Sequence, residues 1–186
     1  MSISSVYVTA DARDDISRDL PFGGGLEAGG PLFGYLDPER ERLVIVKVIA
    51  NEAPPNDARH VFVEVRRWAH LDRPGHRLAG TAHSHEHFRD GLRATPSEAD
   101  ENGWLEMAEQ LAEPIAGLII SPRGERYEGG FPVPDWVAPR IDAWVAHPDG
   151  RLAAVPLRVE PRWLGNLRAE RENAEMVAML RGDDAA

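Results

Sequence analysis

The sequence predicts a single α/β domain in which a mixed β-sheet is flanked by helices. Three observations predict it. A chain of 186 residues with 42% hydrophobic content supplies one sizeable core rather than two. Short apolar, strand-like runs are mixed with two or three helical segments. Two turn-forming stretches, Asp37 to Arg40 and Pro148 to Gly150, separate pairs of strand-like runs in the manner of hairpins.

In chain order, Val6 to Thr9 reads as a first strand, and Ala10 to Leu20 as a polar helix that breaks at Pro21 and the glycines Gly23, Gly24 and Gly25. Pro31 to Leu36 and Leu43 to Ala50 are rich in β-formers and make the first hairpin. Asn51 to Ala58 is a polar loop, and Val61 to Leu71 a strand end running into a short helix. Leu78 to His85 is a strand whose alternation places Ala79, Thr81, His83 and His85 on one face and Leu78, Gly80, Ala82 and Ser84 on the other. After a polar loop from Glu86 to Ala94, the sequence Thr95, Pro96, Ser97, Glu98 has the form of a capping box with proline at the first helical position. A helix is expected from there to about Ala112. Pro114 to Ser121 is an apolar strand, Tyr127 to Val133 one further extended segment, and Ile141 to Ala146 with Arg151 to Val159 the second hairpin. Trp163 to Leu180 has partly helical apolar spacing and is expected to pack on its own domain in preference to serving as a dimer helix, ahead of a disordered tail from Gly182 to Ala186. The expected organisation is a domain over 1–160 and a helical extension with a disordered tail over 161–186.

Composition narrows the chemistry. No run approaches the roughly 20 apolar residues of a bilayer-crossing helix, and Met1 to Asp15 lacks the basic start and apolar centre of a secretion signal, so the expected compartment is the cytoplasm. A formal charge of −10 repels phosphate backbones and argues against nucleic acid as a partner. Cysteine is absent, so any metal must be held by nitrogen and oxygen ligands.

Two histidines one residue apart on a strand sit about 6.6 Å apart along one face, near enough for both imidazoles to converge on one ion. On the following helix, Ser97 and Asp100 are three apart and share the face of Trp104, Met107 and Leu111, which must turn toward the sheet. A carboxylate on a buried face needs a partner, and His83 with His85 can present one through a metal. Two histidines and an aspartate leave the fourth position of a tetrahedral zinc for water, the arrangement of a catalytic site. A hydrolase of that type needs a proton acceptor near the water, and Glu27, placed before Gly29 and Gly30 where the backbone can approach closely, is the candidate. His60, His70, His76 and His147 are most simply solvated or structural.

A glutamate ahead of a Gly-Gly strand start, then His-Ser-His closing a later strand, then Ser-x-x-Asp opening the next helix: in that order, the residues Glu27, His83, Ser84, His85, Ser97 and Asp100 resemble the JAMM motif of JAB/MPN-domain zinc metalloproteases. The resemblance spans roughly Val6 to Val159. It implies a JAB/MPN-like fold, Zn2+ held by His83, His85 and Asp100, Glu27 as general base and Ser97 as oxyanion donor. It further implies hydrolysis of an amide or isopeptide bond at the C-terminal tail of a ubiquitin-like modifier, with that modifier, its conjugates and the activating-like and conjugating-like enzymes of its pathway as partners. Two features depart from the family's pattern: Glu86 stands where proline usually follows the second histidine, and 14 residues separate His85 from Asp100, more than is usual. His87, which continues the strand alternation, and Asp90 therefore stay as competing third ligands. A non-catalytic scaffold of the same fold and a hydrolase of small-molecule amides are the alternative functions.

Overall fold

The computed structural model describes residues 2–20, 28–49, 77–85, 94–128, 131–134, 139–161 and 164–165. In chain order the elements are β1 (Ser5–Val8), α1 (Ala10–Asp19), β2 (Gly29–Asp37), β3 (Arg42–Val48), β4 (Arg77–Ser84), α2 (Glu98–Leu111), β5 (Ile115–Ser121), β6 (Glu125–Glu128), β7 (Phe131–Pro134), β8 (Arg140–Ala146), β9 (Leu152–Val155) and β10 (Leu157–Val159). Among the described residues, eight of these strands form one mixed sheet in the order β10-β1-β3-β2-β4-β5-β8-β9, and β6 pairs with β7 separately. The fold is therefore mixed α/β with helices flanking the sheet, as the sequence predicts.

The first hairpin forms between β2 and β3, whose antiparallel register brings Asp37 opposite Arg42. Helix α1 begins where Thr9 caps it, its side chain accepting from the Ala12 N–H at 3.3 Å. A second acceptor comes from far along the chain: the Glu160 carboxylate takes the Ala10 N–H at 2.9 Å. This helix buries Ala12 and Ile16, with Leu20 at its end, at the four-residue spacing of one helical face. Around them gather Val6, Leu32, Ile45, Ala82, Leu118, Val145 and Val155, one continuous core drawn from strands at both ends of the sheet.

Helix α2 covers the opposite face over a second core, in which Trp104, Met107 and Ala108 meet Phe33, Leu78, Ile115, Ile119 and Trp144. Leu111, expected on this buried face, is exposed, and Ala108 packs in its place. The start of α2 also differs from expectation. The helix is capped by Ser97 with Asp100 as its box partner, two residues later than a box built on Thr95 and Glu98. The overlapping pairs have the same spacing, but the Ser97 N–H and hydroxyl both reach the Asp100 carboxylate, which fixes the boundary there.

Three further differences come from pairing that periodicity does not encode. Strict alternation in β4 fails at Gly80, where φ is +143° and a Cβ would sit 1.8 Å from the Ala116 carbonyl oxygen. Leu32 pairs with Gly80 and Phe33 with Leu78, so Ala79 is an extra residue and a bulge. Leu78 consequently joins the α2 core and Ala79 the α1 core, the reverse of the expected faces, while Thr81 and His83 keep theirs. The extended segment expected over Tyr127 to Val133 is two antiparallel strands, β6 and β7. The second half of the second hairpin divides at Pro156: β9 stays beside β8, whereas β10 crosses to the far edge and pairs in parallel with β1. Proline cannot donate to a ladder, and here its carbonyl accepts from the Val6 N–H at 3.1 Å. Only Pro156 separates the two edge strands in the chain, so the two edges come near each other at that point. The stretch over Val61 to Leu71, the helix expected over Trp163 to Leu180 apart from Leu164 and Gly165, and the C-terminal tail lie outside the described residues.

Candidate metal centre

Parallel strands β4 and β5 are adjacent, and α2 lies between them in the chain. The carboxyl ends of such strands, next to the first turn of the following helix, are where open α/β sheets present ligands. His83 and His85 stand at that end of β4. The His85 N–H bonds the Ile120 carbonyl at 2.8 Å, which extends the pairing with β5 past the last strand residue and holds both rings on the α2 side.

The Nε2 atoms of His83 and His85 face one another at 2.9 Å, with ring centroids 4.8 Å apart. Asp100 Oδ1 is 3.3 Å from His83 Nε2, and Oδ2 is 3.9 Å from His85 Nε2. His83 is buried, and His85 and Asp100 are partly buried. Ligand atoms about 2.0–2.1 Å from a tetrahedral zinc lie about 3.3 Å from each other. The His83–His85 and His83–Asp100 Oδ1 separations lie near that value, and one ligand atom from each of the three residues lies within 4.8 Å of the others. Two imidazole nitrogens and a carboxylate oxygen converging in this way form a group able to hold a metal ion.

Asp100 is prepared for the role from the other side. Its Oδ2 accepts from the Ser97 N–H at 2.7 Å and from the Ser97 hydroxyl at 2.8 Å, which leaves Oδ1 toward His83. Burial alone would raise its pKa, but His83, through hydrogen bond and charge, and the two Ser97 donors outweigh that and hold it well below the ordinary carboxylate range. A carboxylate that stays ionised is the form that ligates a cation. Ser97 thus orients Asp100 in this structure, and its own side is exposed.

Glu27, the expected base, and His87 and Asp90, the competing third ligands, lie outside the described residues. Ala28, the residue after Glu27, is described and firmly held. The fully buried Ser84 hydroxyl accepts from the Ala28 N–H at 2.8 Å and bonds the Ala28 carbonyl at 3.2 Å, while the Ser84 N–H reaches the same carbonyl at 2.7 Å. The middle residue of His-Ser-His therefore faces away from the rings and ties the start of β2 to the end of β4. At the far end of the segment that follows His85, the buried Asp142 carboxylate accepts from the Ala94 N–H at 3.0 Å and pairs with Arg140 at 2.9 Å. Neither tether was expected from sequence, because each joins residues dozens of positions apart. A polar residue inside an apolar strand, as Asp142 is, was the available signal.

No protein-family model matches the sequence, and no curated protein matches it. Among solved structures, the chain is similar to the solution structure of protein DSY2949 from Desulfitobacterium hafniense, with a TM-score of 0.51 and 19% identity over 83% of this chain and 92% of that one. At that identity the likeness concerns the fold alone.

Proposed function

We propose that the chain is a zinc-dependent peptidase of the JAMM kind, with a JAB/MPN-like fold, that hydrolyses an amide or isopeptide bond at the C-terminal tail of a ubiquitin-like modifier. The observation that carries this reading is the convergence of His83, His85 and Asp100, in the motif's order, at the carboxyl end of β4 and the first turn of α2. His83, His85 and Asp100 would hold a zinc ion, which when bound would supply a Lewis acid and make water a stronger acid. Glu27 accepts the proton of the attacking water and returns it to the leaving amine. Ser97 holds Asp100 in the resting protein, so an oxyanion contact requires its hydroxyl to turn from Oδ2 while its N–H keeps that oxygen in place. An extended modifier tail suits a site at the carboxyl ends of β4 and β5, where its last amide bond can be presented to the three ligands.

The test is zinc stoichiometry of the full chain together with cleavage of a panel of ubiquitin-like tail fusions and simple peptide amides, for wild type and Glu27→Gln. One zinc per chain, cleavage of a fusion, and a Glu27→Gln variant that keeps the metal but loses cleavage are the expected results. Zinc-loaded wild type that cuts amides and no fusion overturns the substrate, and undiminished cleavage by Glu27→Gln removes it as the base.

A further inference from the structure

We infer that Thr81 is a positioning residue for the metal site, setting the register of α2 on the sheet through one buried hydrogen bond to Trp104. This rests on the reading of His83, His85 and Asp100 as ligands. The ligands come from two elements, so affinity depends on how the helix sits on the strand, and the molecule contains a slot that decides it.

Across three neighbouring strands, Thr81 of β4 pairs with Gly117 of β5, and Gly117 with Trp144 of β8. The Trp104 indole lies over this row. Thr81 Oγ1 accepts from Trp104 Nε1 at 2.8 Å on one side, and the Trp144 ring stacks at 6.1 Å on the other. Between them Gly117 makes room, for a Cβ there would come within 2.3 Å of the indole. Trp104 and Thr81 are 3% and 8% exposed, so the indole N–H has no water to turn to if Thr81 withdraws.

The next row toward the carboxyl end is His83, Ile119 and Asp142. Thr81 and His83 are two residues apart on a strand, about 6.6 Å. Trp104 and Asp100 are one turn apart on a helix, about 6 Å. Thr81–Trp104 and His83–Asp100 are thus two rungs of one ladder with matching spacing, the lower one permanent and the upper one bearing the metal. Slipping α2 by a single residue turns its face by about 100° and moves it about 1.5 Å, which breaks the lower rung and carries Asp100 away from both imidazoles. Hydrophobic packing alone tolerates smaller rotations; a hydrogen bond from a ring wedged over a glycine does not.

The experiment measures zinc affinity by chelator competition and the visible ligand-field spectrum of the Co2+-substituted protein, for wild type, Thr81→Val, Thr81→Ser and Ile16→Val. Thr81→Val keeps shape and removes the acceptor. It is expected to lower zinc affinity roughly tenfold, because the stranded indole N–H favours a shift of the helix that carries Asp100, and to alter the cobalt spectrum. Thr81→Ser restores the hydroxyl and is expected within threefold of wild type with an unchanged spectrum. Ile16→Val loosens the opposite core and is expected to lower thermal stability without changing either metal readout. Wild-type affinity in Thr81→Val, equal losses in both Thr81 variants, or an equal loss in Ile16→Val each overturn the inference while leaving the ligand assignment standing. If wild type takes up neither metal, the ligand assignment itself has failed and the positioning role falls with it.

Discussion

Replacing Ser84 by alanine separates the holding of the metal from the holding of the chain beside Glu27. Ser84 is fully buried, and its hydroxyl makes two contacts with the Ala28 backbone, at 2.8 Å to the N–H and 3.2 Å to the carbonyl. Alanine removes both and keeps the Ser84 N–H to Ala28 carbonyl bond at 2.7 Å, so β2 remains paired while the Ala28 N–H loses its acceptor. Stranding a backbone donor in a partly buried position costs about 1–3 kcal/mol. For a chain of this length about 2–4 °C of Tm accompanies each kcal/mol, so the metal-free protein is expected to melt about 2–12 °C lower. His83 and His85 point to the opposite side of β4, and zinc affinity is expected to stay within about threefold of wild type, well under the tenfold that 1.4 kcal/mol would produce. Turnover is another matter. A shift of about 1 Å in a reacting group costs on the order of 100-fold, and Ala28 is the first described anchor after Glu27, so kcat on a cleavable tail fusion is expected to fall about 10- to 100-fold. Thermal denaturation, zinc competition and steady-state kinetics on one preparation measure the three quantities. A Ser84→Ala variant that loses zinc in step with activity, or that keeps wild-type kcat despite the lower Tm, refutes the separation.

Ser97→Ala removes the cap of α2 and one of two donors to Asp100 Oδ2; stability is expected to fall by about 1 kcal/mol, and zinc affinity by less than tenfold because the Ser97 N–H still holds that oxygen. Complete loss of metal on equilibrium dialysis contradicts this reading. His147, buried at the end of β8, has its pKa lowered first by burial and then by the Arg151 charge, only partly offset by Asp149. Its folded-state pKa lies below the unfolded value near 6.5, so the unfolded chain binds the extra proton first. Stability from this residue is complete above about pH 6.5 and lost as pH falls toward the folded pKa. Between pH 7.5 and 5.5 the metal-free Tm of wild type is expected to fall more steeply than that of His147→Gln, and parallel slopes by calorimetry count against it.

Much of the site is legible in the sequence because local rules write it. Period-two alternation is enough to put His83 and His85 on one face, and the three-residue spacing of Ser97 and Asp100 is enough to join them at a helix start. Absence of cysteine restricts the ligands to nitrogen and oxygen. The same rules hold for the first hairpin and for α1. They misplace Leu78 and Ala79 because a bulge at Ala79 resets alternation, beside a Gly80 that the Ala116 backbone of β5 crowds. They choose Thr95 over Ser97 as the cap because two overlapping boxes look alike until one carboxylate is seen facing two histidines.

What tertiary structure alone decides is the meeting of elements distant in the chain. Nothing local sends the strand after Pro156 to the opposite edge of the sheet, ties Ala28 to Ser84, or draws Ala94 onto Asp142. Only the stacked rows Thr81–Gly117–Trp144 and His83–Ile119–Asp142 reveal that the indole of Trp104 fills the space over Gly117. Side-chain direction within one element follows from backbone geometry over a few residues and can be read from sequence. The distance between an imidazole on a strand and a carboxylate on a helix depends on packing summed over the whole core, and it emerges only when the chain is folded.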